Sequence, residues 1–491
     1  MFSISNIKSP GPDGFNSGFF KHTWGIVGEL VCSAALEFFR TGYMPQFMSS
    51  TKLVILQKVQ NPQTASDFRP ISCCSVLYKC IAKMLCIRLK EVLPSIIDPS
   101  QAAFVKGRKL LHNVLICQDL ARGYQRQHIS PRCLLKIDIQ KAFDSVHWGF
   151  LQEMLEGLKF PPLFIKWIMA CVTSVSFQVH INGKDYASFK GGKGLKQGDP
   201  LSPLLFVITM EYLSRLLKRM SGETGFRFHP AYRKFNLTHL IFVDDLILFS
   251  KADPFSLQQI MSVLHKFQSC VGLKTNFHKS QMVFGGASLQ LQQQCRGIVG
   301  LKESSFPLKY LGVPIVSSRL TKVECTELVD KMTARIHTWA TRNISYAGRL
   351  VLINTVLFGI FNYWASIFLL PQEVIDRLTK VSRNFLWFGS EEFKHPPFLS
   401  WKQSCHTKAT GGLGIKDYAA WNKATIARLV WDIARKKDNL WVKWIHGRYL
   451  RGKDWWDYSP PPDSSWYWKK LCKIKVVFKD GPLNPIPRKW D

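Results

Sequence analysis

Three aspartates at the ends of apolar stretches are the residues of this sequence best suited to chemistry. Asp138 follows "LLKI", and the adjacent pair Asp244 and Asp245 follows "LIFV". A carboxylate at the end of a buried strand is costly unless it is compensated, and a divalent cation is the strongest compensator. Because the acids are far apart in sequence, they can meet only if their strands are neighbours in one sheet.

Such a cluster suits Mg²⁺, which prefers oxygen ligands and keeps substrate phosphates among them. With two ions about 3.5–4 Å apart, one activates an attacking oxygen and the other stabilises the leaving oxygen. The residues therefore predict two Mg²⁺ ions, with Mn²⁺ as an alternative, held by Asp138, Asp244 and Asp245 for phosphoryl transfer. Taken alone, an Asp-Asp pair at a hairpin tip is more often a solvated turn. The choice between a turn and a metal site therefore depends on motifs elsewhere in the chain.

The elements that would position these acids follow from local patterning. "CLLKIDI" (133–139) predicts a short buried strand, followed by a helix over 142–158. "SPLLFVITMEYLSRLLKRM" (202–220) predicts an amphipathic helix. "HLIF" and "LILFS" predict a hairpin with Asp244 and Asp245 at its tip.

Further elements are predicted on either side of this region. "TKLVILQKV" (51–59) alternates like a strand, and 75–97 has helical spacing that ends near Pro94. "FQVHING" (177–183) predicts a strand closed by an Asn-Gly turn. Beyond about residue 290 the pattern is mainly helical.

The charge and cysteine usage narrow the class of partner. The formal charge of +32, from 66 Lys and Arg against 34 acidic residues, predicts a polyanion, with nucleic acid the first candidate and an anionic membrane the second. Thirteen cysteines without a C-x-x-C pair fit neither a zinc ribbon nor a disulfide framework, which favours a reducing compartment. Residues 1–30 show no secretory signal, so we expect an intracellular protein, in the nucleus, the cytoplasm or both, that is not secreted.

One segment is apolar enough to resemble a membrane span. "LVLINTVLFGIFNYWASIFLL" (350–370) contains no charged residue. Because Asn354, Thr355, Asn362 and Ser366 interrupt it, a buried helix is the favoured interpretation, and we expect no membrane partner.

A series of motifs then occurs in a recognisable order and spacing. They are "KSPGPDGF" (8–15), "DFRPISCCSVLYK" (67–79), "SQAAFVKGR" (100–108), "KIDIQKAFDSVHW" (136–148), "GLKQGDPLSPLLF" (194–206), "FVDD" (242–245), "GLKTNFHKSQMVFGG" (272–286) and "LKYLGVPI" (308–315). Together they resemble the reverse transcriptase of non-LTR (LINE-type) retrotransposons, and the plant lineage most of all. The resemblance covers most of residues 8–440.

The resemblance implies roles for individual residues. The metal-binding acids of the family fall on Asp138, Asp244 and Asp245, which were already candidates from their strand ends. Lys279 matches a proton-donating lysine, for which the alternative is a solvated surface charge. Val243 stands where the family more often has alanine, a small apolar change that we expect to leave the acids in place.

Substrate-binding roles are implied in the same way. Phe143 matches the aromatic residue under the incoming sugar that excludes a 2′-hydroxyl, with a core aromatic as the alternative. Gln197 and Gly198 match the loop that contacts nucleotide and template, where glycine allows close backbone approach. Arg69 matches the triphosphate-binding arginine, again with a surface charge as the alternative. Asp144 is interpreted as a capping or structural acid rather than a metal ligand.

The fold implied is α+β, a right-hand polymerase whose palm carries an RRM-like antiparallel sheet. We expect fingers over 1–125, the palm and catalytic core over 126–290, a mainly helical thumb and connection over 291–420, and a basic Trp-rich tail over 421–491 as a helical C-terminal extension. Compared with relatives that extend further at both ends, the sequence resembles a truncated copy.

The function implied is that of an RNA-directed DNA polymerase, which transfers a nucleotidyl group from a dNTP to a primer 3′-hydroxyl. Its partners would be an RNA template, a DNA primer or target and dNTPs, with no obligate protein partner evident. Two alternatives stay open: a catalytically inactive nucleic-acid-binding remnant of such an element, and a group II intron maturase-like protein.

The tail divides into two parts with different expectations. Residues 421–444 keep helical spacing and should pack into the helical connection. Over 455–491, Pro460, Pro461 and Pro462 break any helix and leave the indoles without an obvious core, which favours binding of a single strand.

Overall fold

The computed structural model describes residues 1–126, 128–230, 235–392, 395–396 and 399–479. It contains two compact units. The first, here the sheet unit, comprises 1–108 and 130–303, and the second, here the helical unit, comprises 109–129 and the chain from 304 onward. The finer division into fingers, palm, thumb and tail stays a prediction, and its fingers range includes 109–125, which lie in the helical unit.

The sheet unit holds the central strands and most of the early helices. Its helices are α1 (Ser17–His22), α2 (Trp24–Thr41), α3 (Gln46–Ser49), α4 (Val76–Ile96), α6 (Ala142–Ser145), α7 (Trp148–Gly157), α8 (Pro162–Thr173), α9 (Ser202–Ser221), α10 (Pro254–Val271) and α11 (Leu289–Val299). Its strands are β1 (Ser50–Gln57), β2 (Phe68–Cys74), β3 (Arg132–Ile137), β4 (Ile139–Gln140), β5 (Ser176–Ile181), β6 (Lys184–Lys190), β7 (His239–Phe242), β8 (Asp245–Lys251), β9 (Lys274–Thr275), β10 (Gln281–Gly285) and β11 (Lys302–Glu303).

A five-stranded sheet in the order β11-β10-β3-β8-β7 forms the centre of this unit. Strand β3 lies between β8 and β10, antiparallel to both, and its apolar residues are buried. Helices α9 and α10 contact each other, and α9 is buried along most of its length, which confirms the helix expected over 202–220. The expected hairpin is also confirmed, as β7 pairs with β8.

A second sheet in the order β2-β1-β5-β6 confirms two other predicted strands. Strand β1 matches the pattern over 51–59, and β5 ends in the expected turn, where Asn182 and Gly183 have φ of 50° and 81°. Both positive values fit the tight hairpin turn that Asn-Gly favours.

The prediction of a single helix over 142–158 is wrong. The structure breaks it into α6 and α7, with extended backbone at Val146 and His147. The His147 amide donates to the Val271 carbonyl at 3.0 Å, and the Val146 carbonyl accepts from the Gly194 amide at 2.8 Å. Because these partners are distant in sequence, helical spacing alone could not show the break.

The helical unit is built from later helices and one early helix. Its helices are α5 (Leu110–Ala121), α12 (Thr326–Ala340), α13 (Tyr346–Leu352), α14 (Phe358–Ala365), α15 (Gln372–Phe388), α16 (Trp401–Ser404), α17 (Tyr418–Ala434), α18 (Leu440–Ile445) and α19 (Trp466–Lys479), and its strands are β12 (Leu308–Tyr310) and β13 (Val313–Ile315). Helix α5 contacts α18 and β13 and buries most of its side chains. The mainly helical pattern expected beyond 290 is confirmed, and with the two sheets it gives the expected α+β class.

The apolar segment 350–370 belongs to this unit. The buried-helix interpretation is confirmed from Ile353 onward, where most apolar side chains are buried, whereas Val351 is 59% exposed. It runs through α13, a π-helical turn at Ile353–Leu357 and α14. The Asn362 side chain accepts a hydrogen bond from Trp421 Nε1 at 2.7 Å, which explains a polar residue in this segment. Within the part of the chain that the structure describes, no helix is both long and apolar enough to cross a bilayer.

More tryptophan side chains of the tail are buried than its sequence indicated. Trp441 and Trp444 are buried, as expected for 421–444. For 455–491 the premise that the indoles lack a core is wrong for Trp455 and Trp468, which are buried with their ring centres 5.5 Å apart. The prolines form a loop, and a helix resumes after it as α19, which packs on α17. Trp490 lies outside the described residues.

Candidate active site

The structure brings the three aspartates to one edge of the central sheet. Ile137 and Leu246 form the last pair between β3 and β8, so Asp138 and Asp245 each lie one residue beyond this pair. Asp245 is also paired with Phe242 across the hairpin, and Asp244 lies in the turn between them. All three acids are half-buried.

Their electrostatics show that the acids influence one another. Burial raises the pKa of Asp244, and the charges of Asp245 and Asp138 raise it further, while Arg69 opposes the shift. Burial also raises the pKa of Asp245, with Asp138 adding to the rise and Lys136 opposing it. Among the described residues, no three His, Cys, Asp or Glu side chains converge closely enough to form a ready metal site. Three mutually repelling carboxylates at one edge are nevertheless the oxygen ligands that a divalent cation would draw together.

The turn that carries Asp244 is held by a residue that the sequence did not single out. Val243 has φ of 58°, a left-handed conformation that is unfavourable for a β-branched residue. Its amide donates to Gln101 Oε1 at 3.3 Å, and Gln101 is 1% exposed. Ala102 adds a backbone hydrogen bond to the Ile241 carbonyl at 3.0 Å. A single glutamine has no distinctive spacing, so only the resemblance of 100–108 pointed to this segment.

A short turn supports Asp138 from the other side. The Asp138 amide donates to Ser280 Oγ at 3.0 Å, and its carbonyl accepts from the Asn276 amide at 2.7 Å. Ser280 Oγ also donates to the Asn276 carbonyl at 2.7 Å. Lys279 is an exposed residue of this same turn, so the structure places its backbone next to the residues that hold Asp138.

The loop with Gln197 and Gly198 lies directly against strand β2. The Ser72 amide donates to the Gln197 carbonyl at 2.7 Å, and Gln197 Nε2 donates to Asp144 Oδ1 at 3.1 Å. Gly198 has φ of 109°, and an added Cβ would lie 2.8 Å from the Ser72 carbonyl oxygen. Glycine is therefore required here on two counts, and Asp144 anchors the loop rather than capping a helix.

A buried charged group lies beneath this loop and was also missed. The Lys196 ammonium is 3.5 Å from the centre of the Tyr78 ring and donates to the Cys171 carbonyl at 3.2 Å. The Tyr78 hydroxyl donates to Asp199 Oδ2 at 2.8 Å, so α4 is tied to both ends of the loop tip. Lys196 and Asp199 are 5% and 4% exposed, which their surface-like residue types could not indicate.

Arg69 and Phe143 complete the set of predicted residues. Arg69 is exposed on β2 opposite Leu56, and its charge acts on Asp244, which places it near the acids. Phe143 is half-buried and stacks on the buried Phe206, with ring centres 4.9 Å apart. The Phe143 carbonyl accepts from the Leu195 amide at 2.6 Å, so its backbone is fixed by the adjacent loop.

Comparison with known proteins identifies relatives of this arrangement. The chain is 28% identical to the Transposon TX1 uncharacterized 149 kDa protein of Xenopus laevis over 386 residues, which is 78% of this chain and 29% of that protein. It is 28% identical to the retrovirus-related Pol polyprotein from the type-2 retrotransposable element R2DM of Drosophila melanogaster over 292 residues, which is 60% of this chain and 26% of that protein. The chain therefore spans well under half the length of these relatives, and the expected resemblance to non-LTR elements is confirmed.

A solved structure of apo telomerase from Candida tropicalis, truncated from its C-terminal domain, aligns with a TM-score of 0.39 and 15% identity over 56% of this chain and 55% of that one. Residues 57–315, more than half of the chain, match the family model described as reverse transcriptase (RNA-dependent DNA polymerase). The chain therefore belongs to the reverse transcriptase family.

Proposed function

We propose that this chain catalyses RNA-templated DNA synthesis for a LINE-type retroelement, with an RNA template, a DNA primer or target and dNTPs as its partners. The observation that carries the proposal is the meeting of Asp138, Asp244 and Asp245 at one sheet edge in a member of the reverse transcriptase family. The primer 3′-hydroxyl oxygen would attack the α-phosphate of the dNTP, and the bond to pyrophosphate would break.

Reverse transcriptases generally use divalent metal ions, and the donor set of this site fits them. Asp138, Asp244 and Asp245 would hold two Mg²⁺ ions, or Mn²⁺ in their place. Bound ions would supply charge stabilisation at the reacting phosphate oxygens. The raised pKa of Asp244 and Asp245 supports this assignment, because a bound cation offsets both the burial and the neighbouring carboxylate charges that raise it.

The other residues at the site would bind and orient substrate. Arg69 would pair with the triphosphate, since it is an exposed guanidinium close to the acids. The Gln197 and Gly198 loop would contact the nucleotide and template. Phe143 would lie under the sugar, and Lys279 would give a proton to the leaving pyrophosphate. Positioning of this kind contributes much of the rate in phosphoryl transfer.

The charge of +32 supports a long polyanionic partner beyond the nucleotide itself. An enzyme that copies RNA into DNA works where both are present, so we place it inside the cell, in the nucleus, the cytoplasm or both.

Primer extension on an RNA template with the purified chain tests the proposal. Asp244→Asn removes one charge from the ligand set with little change in volume, so extension should fall at least about 100-fold. Folding should survive, because the pKa of Asp244 is raised and its charge therefore opposes folding at neutral pH. The control is Asp330→Asn, the same change at an exposed position of α12.

Equal extension by the Asp244→Asn variant and the parent would reject the metal assignment. A parent chain that binds RNA but shows no extension with either Mg²⁺ or Mn²⁺ would identify a non-catalytic binding remnant instead.

A further inference from the structure

A groove in the helical unit surrounds Trp466, at the start of α19. It consists of two adjoining cavities of about 290 and 270 Å³. Both cavities are lined by Arg319 and Trp466, so these two side chains lie at the boundary between them. We call this feature the Trp466 groove. None of the residues assigned to the polymerase site belongs to it.

The lining of the groove is strongly basic. The basic residues of the two cavities are Arg122, Arg126, Arg319, Lys423, Lys469 and Lys470. The carboxylate of Asp119 also lines the groove, but its charge is already compensated. Arg448 Nε lies 3.1 Å from Asp119 Oδ2, and the same oxygen accepts from Trp444 Nε1 at 2.9 Å. The groove therefore presents a net positive potential to an incoming ligand.

The start of α19 adds to this potential. Ser464 and Ser465 line the first cavity together with Trp466, which is the first residue of the helix. Ser465 Oγ accepts from the Trp468 amide at 3.1 Å, so it caps this end of the helix. The positive end of a helix dipole favours an anion at such a position.

Trp466 differs from the tryptophans around it in its surroundings. Trp455 and Trp468 are buried in the core of the unit, whereas Trp466 is half-exposed and borders both cavities. The Arg319 guanidinium carbon lies 6.0 Å from the centre of the indole ring. A partly exposed indole beside a guanidinium provides two flat surfaces on which a nucleic-acid base can stack.

We propose that the Trp466 groove binds a segment of single-stranded nucleic acid, with a base stacked on Trp466 and neighbouring phosphates paired with Arg122, Arg126 and Arg319. A small anion would not need the indole, and an apolar ligand would not need the basic lining. The combination of cavities, indole and guanidinium groups fits a nucleotide chain better than either. This binding does not require polymerisation, so it can hold or fail independently of the proposed function.

Photo-cross-linking locates the contact in the intact chain. A single-stranded oligonucleotide of about 12 residues, within the usual site size for such binding, would carry 5-iodouracil along its length. After irradiation, digestion and mass spectrometry, we expect an adduct on the peptide that contains Trp466. Adducts confined to peptides of the sheet unit would overturn the proposal.

Affinity measurements then test the chemistry. Trp466→Ala should weaken binding of labelled oligo(U) by about ten-fold, because one stacked base is lost. Trp456→Ala is the matched control, a half-exposed indole of the same tail that does not line the groove. Trp466→Phe keeps a stacking surface and should retain most of the affinity, which separates lost stacking from failed folding.

The charged side of the groove has its own pair of variants. Arg319→Ala should lower the slope of log affinity against log salt by about 0.7, the value for one phosphate contact on a single strand. Arg335→Ala, an exposed change on α12 outside the groove, should leave the slope near that of the parent. Repeating the series with oligo(dT) shows whether RNA, DNA or both are bound. Equal affinities of the Trp466→Ala and Trp456→Ala variants for both strands would reject the groove as a binding site.

Discussion

Gly198 is a position in the loop against β2 where the backbone leaves little room for a side chain. Its φ of 109° and the 2.8 Å approach of an added Cβ to the Ser72 carbonyl both oppose substitution. Gly198→Ala should therefore destabilise the chain by about 1–3 kcal/mol and raise KM for dNTP, because the loop must move off β2. Urea unfolding and steady-state extension measure the two effects.

The matched control is Gly149→Ala, since a Cβ at Gly149 in α7 meets nothing within 4 Å. It should stabilise the helix by about 0.5–1 kcal/mol. If both variants behave alike, the close approach at Gly198 is not a constraint in solution.

Phe143 offers a second residue-level test, of sugar selection. Phe143→Val should raise ribonucleotide incorporation relative to deoxyribonucleotide by about ten-fold or more, because space opens where a 2′-hydroxyl would lie. Single-nucleotide extension with matched rNTP and dNTP gives the ratio. Phe150→Val is the control, a half-buried phenylalanine packed on the same core. A ratio that changes equally in both variants, or in neither, would leave Phe143 as a core aromatic.

At the scale of single residues, the sequence located the candidate aspartates better than the residues that hold their turns and loops in place. Asp138 and the Asp244–Asp245 pair could be placed because apolar strands precede them and set their register. Gln101, Lys196 and Asp199 could not, since their roles depend on burial by α4 and the hairpin, and polar residues carry no signal of burial on their own. The positive φ of Val243 runs against the preference of its residue type and had no sequence signal at all.

Helix α5 shows how an element can depend on the charge state of one residue. His112 is 4% exposed, and its ring stacks against Trp441 of α18 at 6.2 Å between centres. Burial, with the charges of Lys109 and Lys437, lowers the pKa of His112 to about 3. His112 therefore packs against α18 as the neutral imidazole.

The pH dependence follows from that shift. Because the folded pKa lies below the unfolded value near 6.5, the stabilisation is fully present above pH 6.5 and is lost as the pH falls toward the folded pKa. The loss attributable to His112 should be about 1–2 kcal/mol between pH 7 and pH 5. His112→Phe should remove this part of the slope, whereas His265→Phe, at an exposed position of α10, should not. Urea unfolding monitored by tryptophan fluorescence at pH 7 and pH 5 measures the change in the free energy of unfolding. An unchanged pH dependence in His112→Phe would contradict the assignment.

Elements were predictable where local spacing determined them. The helix α9 and the β7–β8 hairpin follow directly from apolar periodicity. The break between α6 and α7 does not, because backbone partners from α10 and from the loop before Gln197 create it.

The molecule consists of two units, and each unit is built from two separate stretches of the chain. Residues 109–129 leave the sheet unit, join the helical unit, and the chain then returns at residue 130. A sequence expectation that assigned 109–125 to the fingers could not detect this, because contacts of α5 with α18 and β13 span hundreds of residues. The net charge of the molecule follows directly from its composition. The burial of Trp455 and Trp468 could not be predicted in this way, because it depends on how α19 packs on α17.

Truncation tests this interleaving. A chain ending at residue 303 should aggregate, because α5 would expose apolar side chains that α18 and β13 otherwise cover, each worth about 1.5–3 kcal/mol when buried. Replacing 109–129 in the same truncation with a Gly/Ser linker of equal length should restore solubility. Size-exclusion chromatography compares the two, and equal recovery would show that α5 does not need the later segments.

The interleaved order also has a consequence during synthesis on the ribosome. Helix α5 leaves the exit tunnel long before its partners, since β13 and α18 begin at Val313 and Leu440. At about 5–20 residues per second, the nascent chain carries an uncovered apolar helix for roughly 15 seconds to a minute before α18 is made. A chaperone that binds exposed apolar helices would have that interval to act on α5.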